Sequence, residues 1–128
     1  MIVAGLGFRA EASETDLAAA LTQAGPAPDL LATLAARAEA PALVGLAQRL
    51  GLRVVGLPEG ALAGMATPTR SARILDRFGT GSVAEAAALV AAGPGARLIR
   101  TRIVAGPVTI ALAATAEDDD TTMEGKAR

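Results

Sequence analysis

The chain holds two aromatic side chains, Phe8 and Phe78, and neither tryptophan nor tyrosine. That shortage limits what it can fold into more than any other feature, because aromatic rings bury the most area per residue. The apolar residues make up 52% of the 128 positions, and much of that share is alanine. Alanine buries little, so a stable interior must come from Leu, Val and Ile combined with many close approaches of small residues. A chain of 128 residues fits one such modest core and one domain.

Cysteine and histidine are both absent. Without cysteine there is no disulfide framework, zinc–thiolate site, iron–sulfur cluster or thiol nucleophile, a usage compatible with a reducing cytoplasm. Without histidine the usual metal ligand and the usual general base near neutral pH are missing, so a Ser-His-Asp triad or an imidazole-ligated haem or cobalt cannot be built. No metal and no cofactor are expected. Mean hydropathy is positive, yet Arg, Glu, Gly or Pro interrupts every apolar stretch well short of the roughly 18 residues that mark a membrane helix. No basic region precedes the first apolar run, so no signal peptide is expected. These features point to a cytoplasmic protein with no membrane partner.

The formal charge of −1 conceals a division. From Glu117 onward there are five acids and two bases; residues 1–116 carry eight acids and ten bases, all ten of them arginine. Arginine grips carboxylates through a planar fork, which suits an anionic small ligand. An excess of two, with so few aromatics, does not suit nucleic acid.

Ile2-Val3-Ala4 reads as a buried strand entering a Gly5-Leu6-Gly7 turn. Ser13 caps a helix whose stripe is Leu17, Ala20, Leu21 and Ala24, with Asp16 as its capping-box partner, and Gly25-Pro26 stops it. Leu30–Ala36 is compatible with a helix start or a short strand. Pro41 opens a helix with a Leu43, Leu46, Ala47, Leu50 stripe, ended by Gly51. Leu52–Gly56 reads as a strand. Thr67-Pro68 resembles a cap and first-turn proline before a helix bearing Ser71, Ile74, Leu75 and Phe78. Ser82 caps a further helix whose stripe is Val83, Ala86, Ala87 and Val90, and whose other face is also small enough to pack. Leu98–Val104 and Val108–Leu112, joined by Ala105-Gly106-Pro107, form an antiparallel hairpin. Early strands separated by helices imply parallel crossovers. The expected architecture is a single three-layer α/β/α domain over residues 1–115, with a mixed sheet ending in the hairpin. Residues 116–128 are expected to be an acidic, disordered tail.

Several segments attract attention as sites. Gly5-Leu6-Gly7-Phe8-Arg9-Ala10 is a loose G-x-G-x-x-A. It can be read as a dinucleotide loop, a tight glycine turn without ligand, or a loop for another anion. The helix begins near Ser13 rather than directly after Gly7, which weighs against the first, and Arg9 favours the last. Thr80-Gly81-Ser82-Val83-Ala84-Glu85 presents N–H groups and hydroxyls at a helix start, which is either an anion site or ordinary capping. Thr67-Pro68-Thr69-Arg70-Ser71 allows the same two readings, with solvated helix charges the more common one for Arg70 and Arg73. Arg100 and Arg102 alternate onto one strand face with Leu98 and Val104, the solvent side of an edge hairpin. Arg37 and Glu39 form either a surface ion pair or a ligand contact. Among the carboxylates, no two are spaced so as to force an acid–base pair, and no catalytic residue stands out.

Taken together these segments resemble the family of CobE and the C-terminal domain of CbiG in cobalamin biosynthesis. The resemblance rests on Val3–Arg9, on Ala32-Thr33 with Arg37 and Glu39–Leu43, on Thr67–Ser71, on Thr80–Leu89 and on Val108–Ala113, in that order along roughly residues 1–114. The family often carries Lys at the position of Arg37, which preserves charge, and an acid at that of Ala40. The resemblance implies that Leu30–Ala36 is a strand, and that the protein binds a corrinoid or precorrin intermediate as a carrier or accessory factor. The implied ligand-binding residues are Gly5, Gly7, Phe8, Arg9, Thr33, Arg37, Thr80, Gly81, Ser82 and Glu85. Two alternatives follow from the same family. One is a CbiG-like hydrolase or lyase on a precorrin lactone, using Glu85 or Glu39. The other is a ligand-free module that docks on other enzymes of the cobalamin pathway.

Overall fold

A computed structural model describes residues 1–116. All of the expected acidic tail except Ala116 lies outside the described residues. In chain order the elements are β1 (Ile2–Phe8), α1 (Glu14–Ala24), β2 (Leu30–Leu34), α2 (Ala35–Ala38), α3 (Pro41–Leu50), β3 (Val54–Leu57), α4 (Glu59–Leu62), α5 (Ala72–Phe78), α6 (Val83–Ala92), β4 (Arg97–Ala105) and β5 (Val108–Ala114). The strands form one mixed sheet in the order β3-β2-β1-β5-β4. β1, β2 and β3 are mutually parallel neighbours, whereas β5 runs antiparallel to both β1 and β4.

Local chemistry sets most of these boundaries. Ser13 and Asp16 form the reciprocal capping box: the Asp16 N–H donates to Ser13 Oγ at 3.0 Å and the Ser13 N–H to Asp16 Oδ2 at 2.9 Å. Pro41 takes the first position of α3, and Gly51 ends it in the left-handed conformation. Gly106, at φ 60°, supplies the positive φ that a tight hairpin turn needs before Pro107. Several boundaries differ from expectation; β3, for one, starts at Val54 rather than Leu52. Strand β2 stops at Leu34, and Ala35 and Ala36 begin the single turn of α2. Thr67-Pro68 does not cap α5. Ser71 does so, accepting the Ile74 N–H at 3.4 Å, while the Thr67 hydroxyl closes a loop onto the Thr69 carbonyl.

The two faces of the sheet bury different kinds of core. On one face Ala4, Leu6, Ile110 and Leu112 meet Leu17 and Leu21 of α1 and Leu43 and Leu46 of α3. This is the leucine-rich layer, and it explains the long apolar stripes on both helices. On the other face Val3, Leu30 and Ala32 meet Ala87 of α6. Helix α6 is buried from Val83 to Ala88 and is covered on its far side by Leu62. Its alanines let it sit almost on the backbone of β1, so a helix apolar all round becomes an internal layer.

Gly5 and Gly7 are therefore not a turn; β1 runs through both to Phe8. A Cβ on Gly5 would lie 2.0 Å from the Ala84 carbonyl oxygen and 2.6 Å from the Ala88 nitrogen, and one on Gly7 would lie 2.7 Å from Thr109 Oγ1. Glycine within a strand here marks a close backbone approach.

Strand β4 carries two irregularities. Leu98 lies opposite Ala113, Arg100 opposite Leu112, and Ile103 opposite Ile110. Each step uses one more residue on β4 than on β5, and each extra residue turns the side chains that follow onto the opposite face. Arg100 is sent to the α1 side, where its Nε donates to the Ala24 carbonyl at 2.9 Å. Arg102 returns to the α6 side with Val104. The two arginines do not share a face, contrary to the simple alternation of the sequence.

Helix α5 is the most lightly held element; none of its residues is buried. Arg77 ties it to α4 through two bonds to the Glu59 carboxylate, at 2.9 and 3.1 Å, and stacks over Phe78. The hydrogen bond from Arg77 holds Glu59 below its ordinary value of about 4.5. A depressed carboxyl contributes stability above its unfolded value and loses it as pH falls through the folded one. Amide exchange in α5, measured by NMR against α6, is expected to accelerate below about pH 4.5. The effect is small because both groups are exposed. An unchanged ratio would show that the pair contributes nothing.

Candidate functional site

The parallel strands β1 and β2 end side by side, next to β5, where the direction of the sheet reverses. Open α/β sheets leave a crevice at such a point, outside the carboxyl ends of the strands. A cleft of about 600 Å³ lies there, within the size range of small-molecule sites. Its floor and walls come from the ends of β1 and β2, α2, the start of α6, α5 and the β4–β5 hairpin.

The pairing of β1 with β2 ends at Gly5, so β1 overhangs. Side chains satisfy the overhanging carbonyls. Thr33 Oγ1 donates to the Leu6 carbonyl at 2.8 Å, and Arg37 Nε to the Phe8 carbonyl at 3.0 Å. On the other side Thr109 Oγ1 donates to the Gly7 carbonyl at 3.2 Å. Using only its Nε in this bond leaves the outer edge of the Arg37 guanidinium available.

Six of the ten residues singled out from the sequence line this cleft: Gly7, Phe8, Arg9, Thr33, Arg37 and Ser82. The other four lie behind it. Gly5 faces the backbone of α6. Thr80 is buried, with its hydroxyl donating to the Met65 carbonyl at 2.7 Å. Gly81 lies under the Thr69–Arg70 backbone, which a Cβ would meet at 2.5 Å. Glu85 is fully buried. Its carboxylate accepts the Thr69 N–H at 2.9 Å, the Thr69 hydroxyl at 2.8 Å and the Arg102 N–H at 2.7 Å. The last donor is freed from the ladder by the bulged register of β4. Glu85 therefore ties the loop before α5 to the edge of the sheet, and neither it nor Glu39 lines the cleft.

The glycine segment is not at a helix N-terminus, since α1 begins at Glu14. The geometry of a dinucleotide loop is absent there. The helix that does face the cleft is α6, through Ser82, which caps it by accepting the Glu85 N–H at 3.2 Å, and Val83.

Two arginines join the lining that the sequence placed in solvent, Arg73 from α5 and Arg102 from β4. No spacing signal announces them; the basic excess of the body is the only trace. With Arg9 and Arg37 they make four guanidiniums in a cleft whose lining contains no carboxylate. Among the described residues none of the four has an ion-pair partner. Apolar surface from Phe8, Leu34, Ile74, Phe78, Val83 and Val104 lies between them. Among the described residues no group of acids gathers as a metal site, and no helix is long and apolar enough to cross a membrane.

Comparison with known proteins gives this arrangement a context. The family model of the cobalamin synthesis G C-terminus matches residues 2–113. The crystal structure of CobE, a protein from the cobalamin (vitamin B12) biosynthetic pathway, superposes with a TM-score of 0.76 at 31% identity, over 88% of this chain and 92% of that one. The cobalamin biosynthesis protein chiG from Agrobacterium tumefaciens str. C58 does so with a TM-score of 0.70 at 36% identity, over 91% and 99%. A cobalamin biosynthesis protein G homolog from Sulfolobus solfataricus shares the fold, with a TM-score of 0.63 at 18% identity, over 88% of this chain and 36% of its own. No curated protein sequence matches. The extent of the family match and the two close structural relatives establish that the chain belongs to the CobE and CbiG C-terminal family of cobalamin biosynthesis proteins.

Proposed function

We propose that the cleft binds a corrinoid or precorrin intermediate and that the protein serves the cytoplasmic pathway as a carrier or accessory factor. One observation carries this reading: Arg9, Arg37, Arg73 and Arg102 converge on a partly apolar cleft that supplies no acid to balance them. Such intermediates are broad, flat and fringed with carboxylates. Guanidinium forks match the carboxylates, and the apolar patches match the ring. The N-terminus of α6 adds a favourable field for an anion. The lining offers hydroxyls from Thr33, Ser71, Ser82 and Thr109 but no carboxylate, so these residues support holding a ligand rather than moving a proton.

Titration with hydrogenobyrinic acid and an earlier precorrin, followed by visible absorption, is expected to give a saturable shift with ligand mass unchanged. Arg9→Gln and Arg37→Gln are each expected to weaken binding by about 1–3 kcal/mol, roughly 5- to 150-fold in Kd. Unchanged affinity in both variants would remove the site from consideration. A new product mass would favour a lactone hydrolase, and interaction with pathway enzymes in the absence of any tetrapyrrole affinity would favour a docking module.

A further inference from the structure

We infer, on the reading that this cleft holds the pathway intermediate, that it selects ligands by free carboxylates on opposite edges of the ring and rejects the same ring once those groups are capped. The argument is one of spacing and charge balance. Arg37 follows β2, and Arg102 lies on β4. In the order β2-β1-β5-β4, three inter-strand spacings separate these strands, a distance of about 14 Å. The two arginines therefore reach the cleft from opposite sides of β1 and β5. Arg73 enters from α5, and Arg9 from the end of β1. The four arginines thus enter the cleft from different elements, among apolar side chains, an arrangement that suits a broad plate with acids at its rim.

Among the described residues the cleft lining contains no acid and none pairs with these guanidiniums, although the Glu85 carboxylate lies behind the cleft on the Arg102 N–H. The lining carries four guanidiniums and no acid, and each carboxylate brought in offsets one of these charges. A carboxamide or ester brings no charge and cannot accept a charged two-point fork in the same way. Arg73 and Arg102 are the selectivity residues on this account. Any reaction that converts the ligand's carboxylates to amides or esters discharges it from the protein, so the protein acts upstream of such a step.

The test compares hydrogenobyrinic acid with the same ring fully capped as hydroxyethylamides, and uses citrate as a small tricarboxylate competitor. The acid is expected to bind about a hundredfold more tightly than the capped ring. Arg73→Gln and Arg102→Gln are each expected to narrow that ratio by about tenfold. The bond from the Arg102 backbone to Glu85 survives its substitution, and Arg73 lies on exposed α5, so a thermal melt should show both variants folded. Equal affinity for acid and capped ring overturns the selectivity while leaving corrinoid binding intact. Competition by citrate at concentrations comparable to the ring acid overturns the two-edge spacing. Binding of neither ring overturns the corrinoid reading itself, and the selectivity with it.

Discussion

Gly5→Ala is expected to destabilise the domain by about 3 kcal/mol or more, the upper range for overpacking a core. The added methyl would lie 2.0 Å from the Ala84 carbonyl oxygen, 2.6 Å from the Ala88 nitrogen and 2.9 Å from the Ala88 Cβ. Two of these three atoms are backbone, so no rotamer change can relieve the contact; β1 and α6 must separate. Separation opens the layer where Val3 and Ala32 meet Ala87, in a protein that has little large side-chain area to compensate. At about 4 °C per kcal/mol for a domain of this size, the melting midpoint should fall by roughly 12 °C or more. Gly60→Ala is the control. No atom lies within 4 Å of its added methyl, and its position in helix α4 favours alanine. A Gly5→Ala variant as stable as the control would show that α6 does not press on β1 as described.

Glu85→Ala is expected to cost about 3 kcal/mol, for a different reason. The substitution removes the acceptor of three donors, the Thr69 N–H, the Thr69 hydroxyl and the Arg102 N–H. Leaving partly buried donors without a partner costs roughly 1–3 kcal/mol each before relaxation, and some of that is recovered when water enters. Glu85→Gln keeps one carbonyl oxygen and one acceptor role, but its NH₂ faces a donor, so about half the loss is expected. The damage should be regional. Hydrogen exchange should rise most in the loop around Thr69 and in α5, and less in α1 and α3, which pack on the other face of the sheet. Because that loop leads into the wall carrying Arg73, ligand affinity should fall together with local protection. Loss of affinity without any change in exchange would mean that Glu85 touches the ligand directly.

Much of the fold was legible along the chain. The Ser13–Asp16 box, Pro41, Gly51 and the Gly106-Pro107 hairpin are signals complete within a few residues, and the structure contains each of them. The mixed three-layer architecture followed from helices between early strands and a tight hairpin at the end. The errors arose where distant parts of the chain decide. Gly5 and Gly7 looked like a turn because glycine usually is one. Their reason lies in α6 and Thr109, some 80 and 100 residues away. Thr80, Gly81 and Glu85, expected as ligand contacts, hold the loop before α5 and do not line the cleft.

The cleft divides along the same line. Arg9, Thr33 and Arg37 follow or end the parallel strands, where α/β sheets place their crevices; Arg9 stood out beside the glycine segment, and Thr33 and Arg37 were implied by the family resemblance. Arg102 faces the cleft with Val104 because the two register slips of β4 against β5 cancel beyond Arg100, and Arg73 reaches it only because α5 folds back over the strand ends. The sequence by itself determined the small-residue core, many of the caps and turns, the longer helices and most of the strands, and a chemistry without thiol or imidazole. All of these depend on residue type or on spacing within about one or two turns of chain. The tertiary structure alone decided which glycines exist for packing, which carboxylate is a fastening, and which four arginines share a cleft. Those outcomes depend on side-chain facing after a bulge and on contacts between elements far apart in the chain, which no local pattern encodes.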